Sequence, residues 1–374
     1  MREPSNTDNL RVGVTVEQYW HRVPGGTATS IHGTFLALRD HPELELIGVS
    51  ARHGSLPEGL APPIPVKELA LPRLALYESW HALRWPKIEQ ATGPLDVVHA
   101  TAIAVPPTKA PLVMTIHDLA FLADSTQATR HGNRFFRRGT ELAKRHAQLV
   151  LVPSQATADE CVAAGFDPER IRIVPWGVDQ RVASSDEIAA TRTRFNLERP
   201  YVLFVGTVEP RKNLGALVAA MRALEGQQTD LVLVGPDGWN EDLDSRLKVL
   251  EGSGIGVHRL GYQSADTLAS LYGGAAVFCF PSLREGFGMP VLEAMAQGTP
   301  VVTSSGTATA EVGHGAAILV DPTDHTSLGE ALYSVLTDAQ LAADLAAKAT
   351  QRAALYPWSR TAELTAAAYH EVLQ

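Results

Sequence analysis

The sequence predicts an α/β protein made of two doubly wound domains, and three observations carry that expectation. Short β-branched runs alternate with longer Ala- and Leu-rich stretches of helical spacing. Most runs are apolar throughout rather than every second residue, as strands of a parallel sheet covered on both faces must be. The series also restarts after residue 195, in a chain whose 374 residues are more than one hydrophobic core comfortably serves.

In the first series, "RVGVTV" (11–16), "LIGVS" (the 47–51 region), "DVVHA" (96–100), "LVMTI" (112–116), "LVLV" (149–152) and "IRIVP" (171–175) read as strands. Stretches such as "GTATSIHGTFLALRD" lie between them with helical periodicity. The second series reads "YVLFVG" (201–206), "DLVLVG" (230–235), "GVHRLG" (256–261), "AVFCFP" (276–281), "TPVVTS" (299–304) and "AAILV" (316–320). The polar segment "RVASSDEIAATRTRFNLE" separates the two. These signals place a first domain at 1–182 and a second at 183–354. Residues 355–374 form a last helix that either closes the second domain or crosses back to the first.

Composition is that of a globular protein, with 45% hydrophobic and 20% charged residues. The formal net charge of -9 argues against a general nucleic-acid binder. Residues 1–180 hold 18 Lys+Arg against 19 Asp+Glu, so nearly all of the excess lies in the second half. The two cysteines, Cys161 and Cys279, have no metal-ligand spacing and suit a reducing cytoplasm. No run approaches the roughly 20 apolar residues of a membrane span, and the polar start "MREPSNTDNL" is unlike a signal peptide.

Each series opens with a strand followed by a loop suited to an anion. In the first, Pro24, Gly25 and Gly26 precede Thr27 and a helix, so backbone N–H groups can approach a ligand at a positive helix end. Taken alone, "PGG" is at least as often a simple turn. In the second, "VGTVEPRKNLGALVAAM" puts Arg211 and Lys212 at the carboxyl end of a buried strand, where doubly wound domains bind ligands. Cations are unfavourable at a helix start unless an anion faces them, and a diphosphate would supply one. A third stretch, "PSLREGFGMPVLEAMAQGTPVV", begins a helix after Gly286 and Gly288, with Pro290 as its expected first residue. Glu285 then precedes the helix and Glu293 lies one turn in, each able to accept from hydroxyl groups. Two acids favouring a positive helix end would explain Glu293 but not the glycines around Glu285.

The stretches "GTVEPRKNL", "LGYQSADTLASLYGGAAVFCFPSLREGFGMPVLEAMAQGTPVV" and "AEVGHGAAILVDPTD" resemble family 4 of the retaining glycosyltransferases of GT-B fold, and Glu285 and Glu293 match that family's paired-glutamate motif. The resemblance extends more weakly through "VPGG", "TIHDLAF", "VPSQAT" and "VPWGVD". It implies two facing Rossmann-like domains with a cleft between them, and a nucleoside-diphosphate sugar bound mainly by the second. By this comparison Arg211 and Lys212 hold the donor diphosphate, Glu293 the ribose hydroxyls, and Glu285 the transferred sugar with the backbone of Gly286, Phe287 and Gly288. Gly206 belongs to the same donor loop, the backbone near Tyr262 meets the base, and Gly25 and Gly26 close over the phosphates. His117 matches a histidine that contacts the donor sugar; without the resemblance, a lone His after a strand is more often structural. Asp118 beside it reads as a local cap.

The resemblance implies same-face attack without a metal or other cofactor. The Asp-x-Asp pattern at Asp242 and Asp244 is a decoy, because Leu243, Leu247 and Leu250 put those acids on the solvated face of a helix. GDP-mannose is the first donor expectation, since "EPRKNL" is most like mannosyltransferase members; UDP-glucose or another UDP- or dTDP-hexose is the alternative. The acceptor is a hydroxyl of a glycan, glycolipid or small molecule. A sugar-nucleotide epimerase and an inactive sugar-nucleotide-binding protein are the rivals from other classes. Arg284 departs from the aromatic or small residue usual before the first motif glutamate, which bears on sugar choice. Finally, residues 130–148 hold six Lys/Arg against one acid beside Phe135 and Phe136. They suit either peripheral contact with an anionic membrane or an ordinary solvated face, and the upstream stretch with Trp80 and Trp85, read as exposed, suits either that membrane contact or the lining of the acceptor cleft.

Overall fold

The computed structural model describes residues 9–21, 25–55, 60–123, 130–236, 238 and 243–374. Two compact units form, one from residues 1–177 with 358–374 and the other from 178–357. The first unit holds β1 (Leu10–Thr15), β2 (Leu44–Ser50), β3 (Val66–Glu68), β4 (Val97–Ala100), β5 (Leu112–Thr115), β6 (Leu149–Val152) and β7 (Ile171–Ile173). They form one sheet in the order β3-β2-β1-β4-β5-β6-β7, every neighbour pair parallel. The second unit holds β8 (Tyr201–Val205), β9 (Asp230–Val234), β10 (Val257–Gly261), β11 (Val277–Phe280), β12 (Val301–Ser304) and β13 (Ile318–Val320). Their order, β10-β9-β8-β11-β12-β13, is again wholly parallel. Both are doubly wound Rossmann-like sheets, whose order reverses between β1 and β4 and between β8 and β11.

The continuous apolar runs are explained by burial on both faces. In the first sheet Val98, Leu112, Met114, Val150 and Val152 enter one core cluster. Val97, Val113, Leu149 and Leu151, at alternating positions, enter the other. The closing helix Trp358–Glu371 packs in the first unit against the helix Gly25–Leu38. A Cβ on Gly33 would lie 2.3 Å from the Trp358 ring, so that crossing needs the glycine. Tyr369 of the same helix is buried, its hydroxyl 2.7 Å from His99 Nδ1.

The structure departs from the sequence reading at particular places. The units divide after Gly177 and after Pro357, where the sequence put the divisions after 182 and 354. Val178 N–H donates to the Tyr356 carbonyl at 2.9 Å and Ala183 N–H to the Gln297 side chain at 2.9 Å, which ties 178–183 into the second unit. The supposed separator contains a helix, Ser185–Arg194. Ser184 and Glu187 cap its start reciprocally, an S-x-x-E signal that was readable in the sequence. The short edge strand β3 went unread because only Val66 of its three residues is apolar.

Candidate functional site

Ligands of doubly wound sheets bind where the strand order reverses, outside the carboxyl ends of the strands. In the second unit that point lies between β8 and β11. The loops leaving these two strands are the "VEPRKN" and "PSLREGFG" stretches. They are stitched together by hydrogen bonds to main-chain carbonyls. Leu283 N–H donates to the Arg211 carbonyl at 2.8 Å, and Asn213 Nδ2 donates to the carbonyls of Pro281 at 3.1 Å and Pro322 at 2.6 Å. Asn213 can turn the chain here because it takes the left-handed conformation (φ 57°, ψ 38°), which asparagine tolerates well.

Arg211 and Lys212 sit in a short 3-10 turn, Pro210–Lys212, ahead of the helix Leu214–Ala220. The anions facing them are the protein's own carboxylates. Lys212 Nζ donates to Glu285 Oε1 at 2.6 Å and lies 4.7 Å from the centre of the Phe280 ring. The Arg211 guanidinium bridges two acids, with Nε 2.6 Å from Glu209 Oε1 and NH1 3.2 Å from Glu285 Oε1. The Ser282 hydroxyl lies 2.6 Å from Glu285 Oε1 and 2.9 Å from the Arg211 carbonyl oxygen. The Glu209, Lys212 and Glu285 side chains are all 9% exposed or less. Burial works against the charge on Glu285. The adjacent Lys212 and Arg211 charges, with hydrogen bonds from Lys212 and Ser282, outweigh it and hold its pKa below the ordinary carboxylate range. For Lys212 burial dominates over the pull of Glu285, and its pKa is lowered. Among the described residues, the Glu285 side-chain hydrogen bonds and ion pairs fall on Oε1, which leaves Oε2 as an acceptor.

The chain then passes through Gly286 and buried Phe287 to Gly288, whose φ of 106° favours glycine. A Cβ there would also lie 2.8 Å from Thr309 Cγ2. Gly288 caps the helix Met289–Ala296, so Pro290 is its second residue rather than its first. Glu293, on the second turn, accepts from the buried Tyr272 hydroxyl through Oε2 at 2.9 Å. Burial pushes the Glu293 carboxyl up to about 7 against that hydrogen bond. Gly206 directly follows β8 and lines a cavity of about 360 Å³ with Val208, Gly235, Pro236, Arg259 and Gly261. Tyr262, next in sequence, is 77% exposed.

The other expected residues lie in the first unit. Gly25 and Gly26 begin the helix Gly25–Leu38, and both are exposed, with no atom of the described residues within 4 Å of a built Cβ. Pro24 lies outside the described residues. His117 follows β5. Its Nε2 is 2.7 Å from the Thr101 carbonyl oxygen and therefore carries the proton, while Nδ1 is buried with no partner among the described residues. The ring tilts against Trp176 at 5.3 Å, and burial lowers its pKa, so the imidazole is neutral. Asp118 caps the following short helix, accepting from Ala120 N–H at 3.1 Å.

The structure thus brings Arg211, Lys212 and Glu285 into direct contact, and places Glu293 on the helix that follows. It also supplies partners the sequence reading gave no role, namely Glu209, Ser282 and Tyr272. The first was visible within "VEPRKN" as an acid two residues before the arginine; the others had no local signal. Asp244 of the decoy pattern bonds Arg259 at 2.7 Å, Asp242 lies outside the described residues, and among the described residues no group of three His, Cys, Asp or Glu could hold a metal. Trp80 is buried at 2% exposure rather than exposed, donating through Nε1 to the Pro86 carbonyl, whereas Trp85 is 51% exposed. Phe135 and Phe136 pack inward, Phe135 stacked on His81 at 4.1 Å. Among the described residues no helix is long and apolar enough to cross a membrane.

Two family models match this chain: glycosyl transferases group 1 over residues 186–352 and glycosyltransferase family 4 over residues 24–182. The O-antigen chain mannosyltransferase B of Escherichia coli is 30% identical over 266 residues, 69% of either chain. The D-inositol 3-phosphate glycosyltransferase of Salinispora arenicola is 34% identical over 278 residues, 67% of this chain and 61% of that one. The serotype-specific mannosyltransferase WbdA of Escherichia coli is 29% identical across 61% of this chain but only 29% of its own length. Among solved structures, Anabaena Alr3699/HepE in complex with UDP and glucose superposes with a TM-score of 0.74 at 20% identity, covering 97% of this chain and all of that one. WaaG, a glycosyltransferase involved in lipopolysaccharide biosynthesis, does so with a TM-score of 0.69 at 19% identity, covering 95% and 98%.

Proposed function

This chain belongs to the glycosyl transferases group 1 family and has the Rossmann-like domains of a GT-B glycosyltransferase, and on that premise we propose that it is a retaining, metal-independent hexosyltransferase. Its donor is a nucleoside-diphosphate sugar, GDP-mannose first and a UDP- or dTDP-hexose as the alternative. The observation that carries the reading is the buried Arg211–Lys212–Glu285 cluster at the switch point. Two fixed cations suit a leaving diphosphate, whose charge grows as the bond to the sugar breaks. Glu285 Oε2 is an acceptor for a hydroxyl of the transferred sugar, and Glu293 for the ribose. A carboxylate held on one oxygen by Lys212, Arg211 and Ser282 is a weak base and a weak nucleophile. That favours same-face attack over a glycosyl-enzyme intermediate. The acceptor hydroxyl bonds to the sugar carbon as its bond to the diphosphate oxygen breaks, and that oxygen takes the hydroxyl proton. His117, Gly25 and Gly26 are assigned donor contacts on the resemblance alone. The mannosyltransferase relative supports mannose, and the acceptor remains a glycan, glycolipid or small-molecule hydroxyl.

Peripheral membrane contact is a second element of the reading. On the helix Arg130–His146, Arg130, Arg134, Arg137, Arg138 and Arg145 are exposed and take no ion-pair partner among the described residues. A cationic face on a chain of net charge -9 suits anionic lipid.

A thermal-shift and slow-hydrolysis screen with GDP-mannose, UDP-glucose, UDP-N-acetylglucosamine, ADP-glucose and dTDP-sugars tests the donor. One donor that stabilises the protein and slowly loses its sugar is expected. Stabilisation without sugar release, even with acceptors present, would favour the inactive binding protein, and epimerised product the epimerase.

A further inference from the structure

We propose that Glu209 is a positioning residue that sets both the aim of Arg211 and the affinity of the site for the nucleoside diphosphate, a proposal that rests on the donor reading above. Glu209 is 3% exposed and lies 2.6 Å from Arg211 Nε. Its backbone carbonyl accepts from Lys212 N–H at 3.0 Å, so one residue anchors both the turn and the guanidinium. The Nε contact fixes the guanidinium plane, and NH1 then reaches Glu285 Oε1 at 3.2 Å and the Arg284 carbonyl at 3.3 Å.

The charge count gives Glu209 its second role. Among the described residues, Arg211 and Lys212 face Glu209 and Glu285, two positive charges against two negative, so these four side chains sum to neutral. A diphosphate arriving at this turn meets cations whose field is already offset by two buried acids. Glu285 has a use for its charge in accepting from sugar hydroxyls through Oε2. Glu209 has its carboxylate turned to Arg211 Nε, so toward the diphosphate its electrostatic effect is to weaken binding. A weaker hold on the diphosphate matters most after transfer, when that group must leave. The arrangement therefore gives up affinity for a fixed arginine and a product that departs.

The test compares wild type, Glu209→Gln and Glu209→Asp by calorimetric titration with GDP, UDP, ADP and dTDP. Slow hydrolysis of the matching sugar nucleotide and thermal unfolding are measured on the same samples. Gln keeps an oxygen facing Nε and removes the charge, so the nucleoside diphosphate is expected to bind about tenfold tighter while turnover falls. Asp keeps the charge but withdraws it from Nε, so affinity is expected to stay within about threefold of wild type while turnover again falls. Equal or weaker binding by the Gln variant overturns the proposal. So does an affinity gain in the Asp variant as large as in the Gln variant, because loosening rather than charge would then be the cause. Should the Gln variant not fold, the Asp variant decides, and unchanged turnover in it refutes the positioning role. If no nucleoside diphosphate binds the wild type at all, the donor reading itself has failed, irrespective of Glu209.

Discussion

The two units place a loop at the same topological position, after the first strand and beside the point where the sheet order reverses, and they build it in opposite ways. After β8 the loop carries Glu209, Arg211 and Lys212, each paired at 2.6 Å and largely buried. The corresponding helix in the first unit starts at Gly25 and Gly26, both exposed and with no atom of the described residues where a side chain would stand. One loop is a set of charges paired with one another. The other, at Gly25 and Gly26, has no side chain to offer and can meet an anion there through backbone N–H groups. A shared fold therefore does not dictate how an anion would be met; the side chains at the switch point do.

Breaking the charged loop should give the largest effect. In Lys212→Ala, Glu285 and Glu209 stay buried with Arg211 alone to compensate them, which is expected to cost about 3 kcal/mol of stability. Donor turnover should fall at least tenfold, since a charge-assisted contact is worth about 1.5–3 kcal/mol. The pH dependence follows from Glu285, whose pKa in the folded protein lies below its ordinary value. Its contribution to stability is present above the ordinary carboxylate range and is lost as pH falls through the depressed value. Lys212→Ala should shrink that acid-side loss. Urea unfolding at pH 7 and pH 3.5 measures it, and an unchanged difference between the two pH values would mean Lys212 does not hold Glu285 ionised.

A smaller and opposite effect is expected at Glu293, in the same unit but with no ion-pair partner among the described residues. Its carboxyl is raised to about 7, so the folded state holds a proton that the unfolded state has released. Above its ordinary range the group therefore destabilises the fold progressively until pH passes about 7. Glu293→Gln keeps an acceptor for Tyr272 and removes that penalty. The variant should be more stable than wild type by about 2 kcal/mol at pH 8 and nearly equal to it at pH 5. Nucleotide affinity should fall meanwhile, because a charged ribose acceptor has become a neutral amide. Thermal unfolding across this range, with nucleotide titration at pH 8, checks both; a stability difference independent of pH would remove Glu293 as its source.

The same contrast decides what could be read in advance. Twelve of the strands were legible, the central ones because a strand buried on both faces must be apolar along its length, as Val202–Val205 and Leu231–Val234 are. Adjacent Arg211 and Lys212 after such a strand pointed to the carboxyl end of the sheet. Their partners were not legible: Glu285 meets Lys212 across 73 positions of sequence, and only the strand order brings β8 and β11 together. Trp80 was misread for a related reason. A tryptophan among charged and polar neighbours looks exposed until the helix Arg73–Ala82 is seen to turn it into the core. His117 could be singled out in the sequence, but that Thr101 fixes its proton on Nε2 depends on β4 lying beside β5.

The open loop can be tested at its two glycines, which differ by one backbone angle. Gly25 has φ of 61°, in the left-handed region, whereas Gly26 takes an ordinary negative φ at the start of the helix. Gly25→Ala is expected to cost about 1 kcal/mol for the Cβ in that conformation, although nothing crowds it. Gly26→Ala should be neutral or stabilise by about 0.5 kcal/mol, since alanine is the better helix former. These are the smallest of the expected effects, and they separate two meanings of an exposed glycine pair. If the N–H groups must come close to phosphate, a methyl group on Gly26 lowers nucleotide-sugar affinity while leaving stability intact. If the pair only turns the chain, Gly26→Ala binds as wild type does and Gly25→Ala loses stability alone. Thermal unfolding with and without the donor, on both variants, distinguishes the outcomes, and the second would withdraw the phosphate assignment from Gly25 and Gly26 while leaving that of Arg211 and Lys212 untouched.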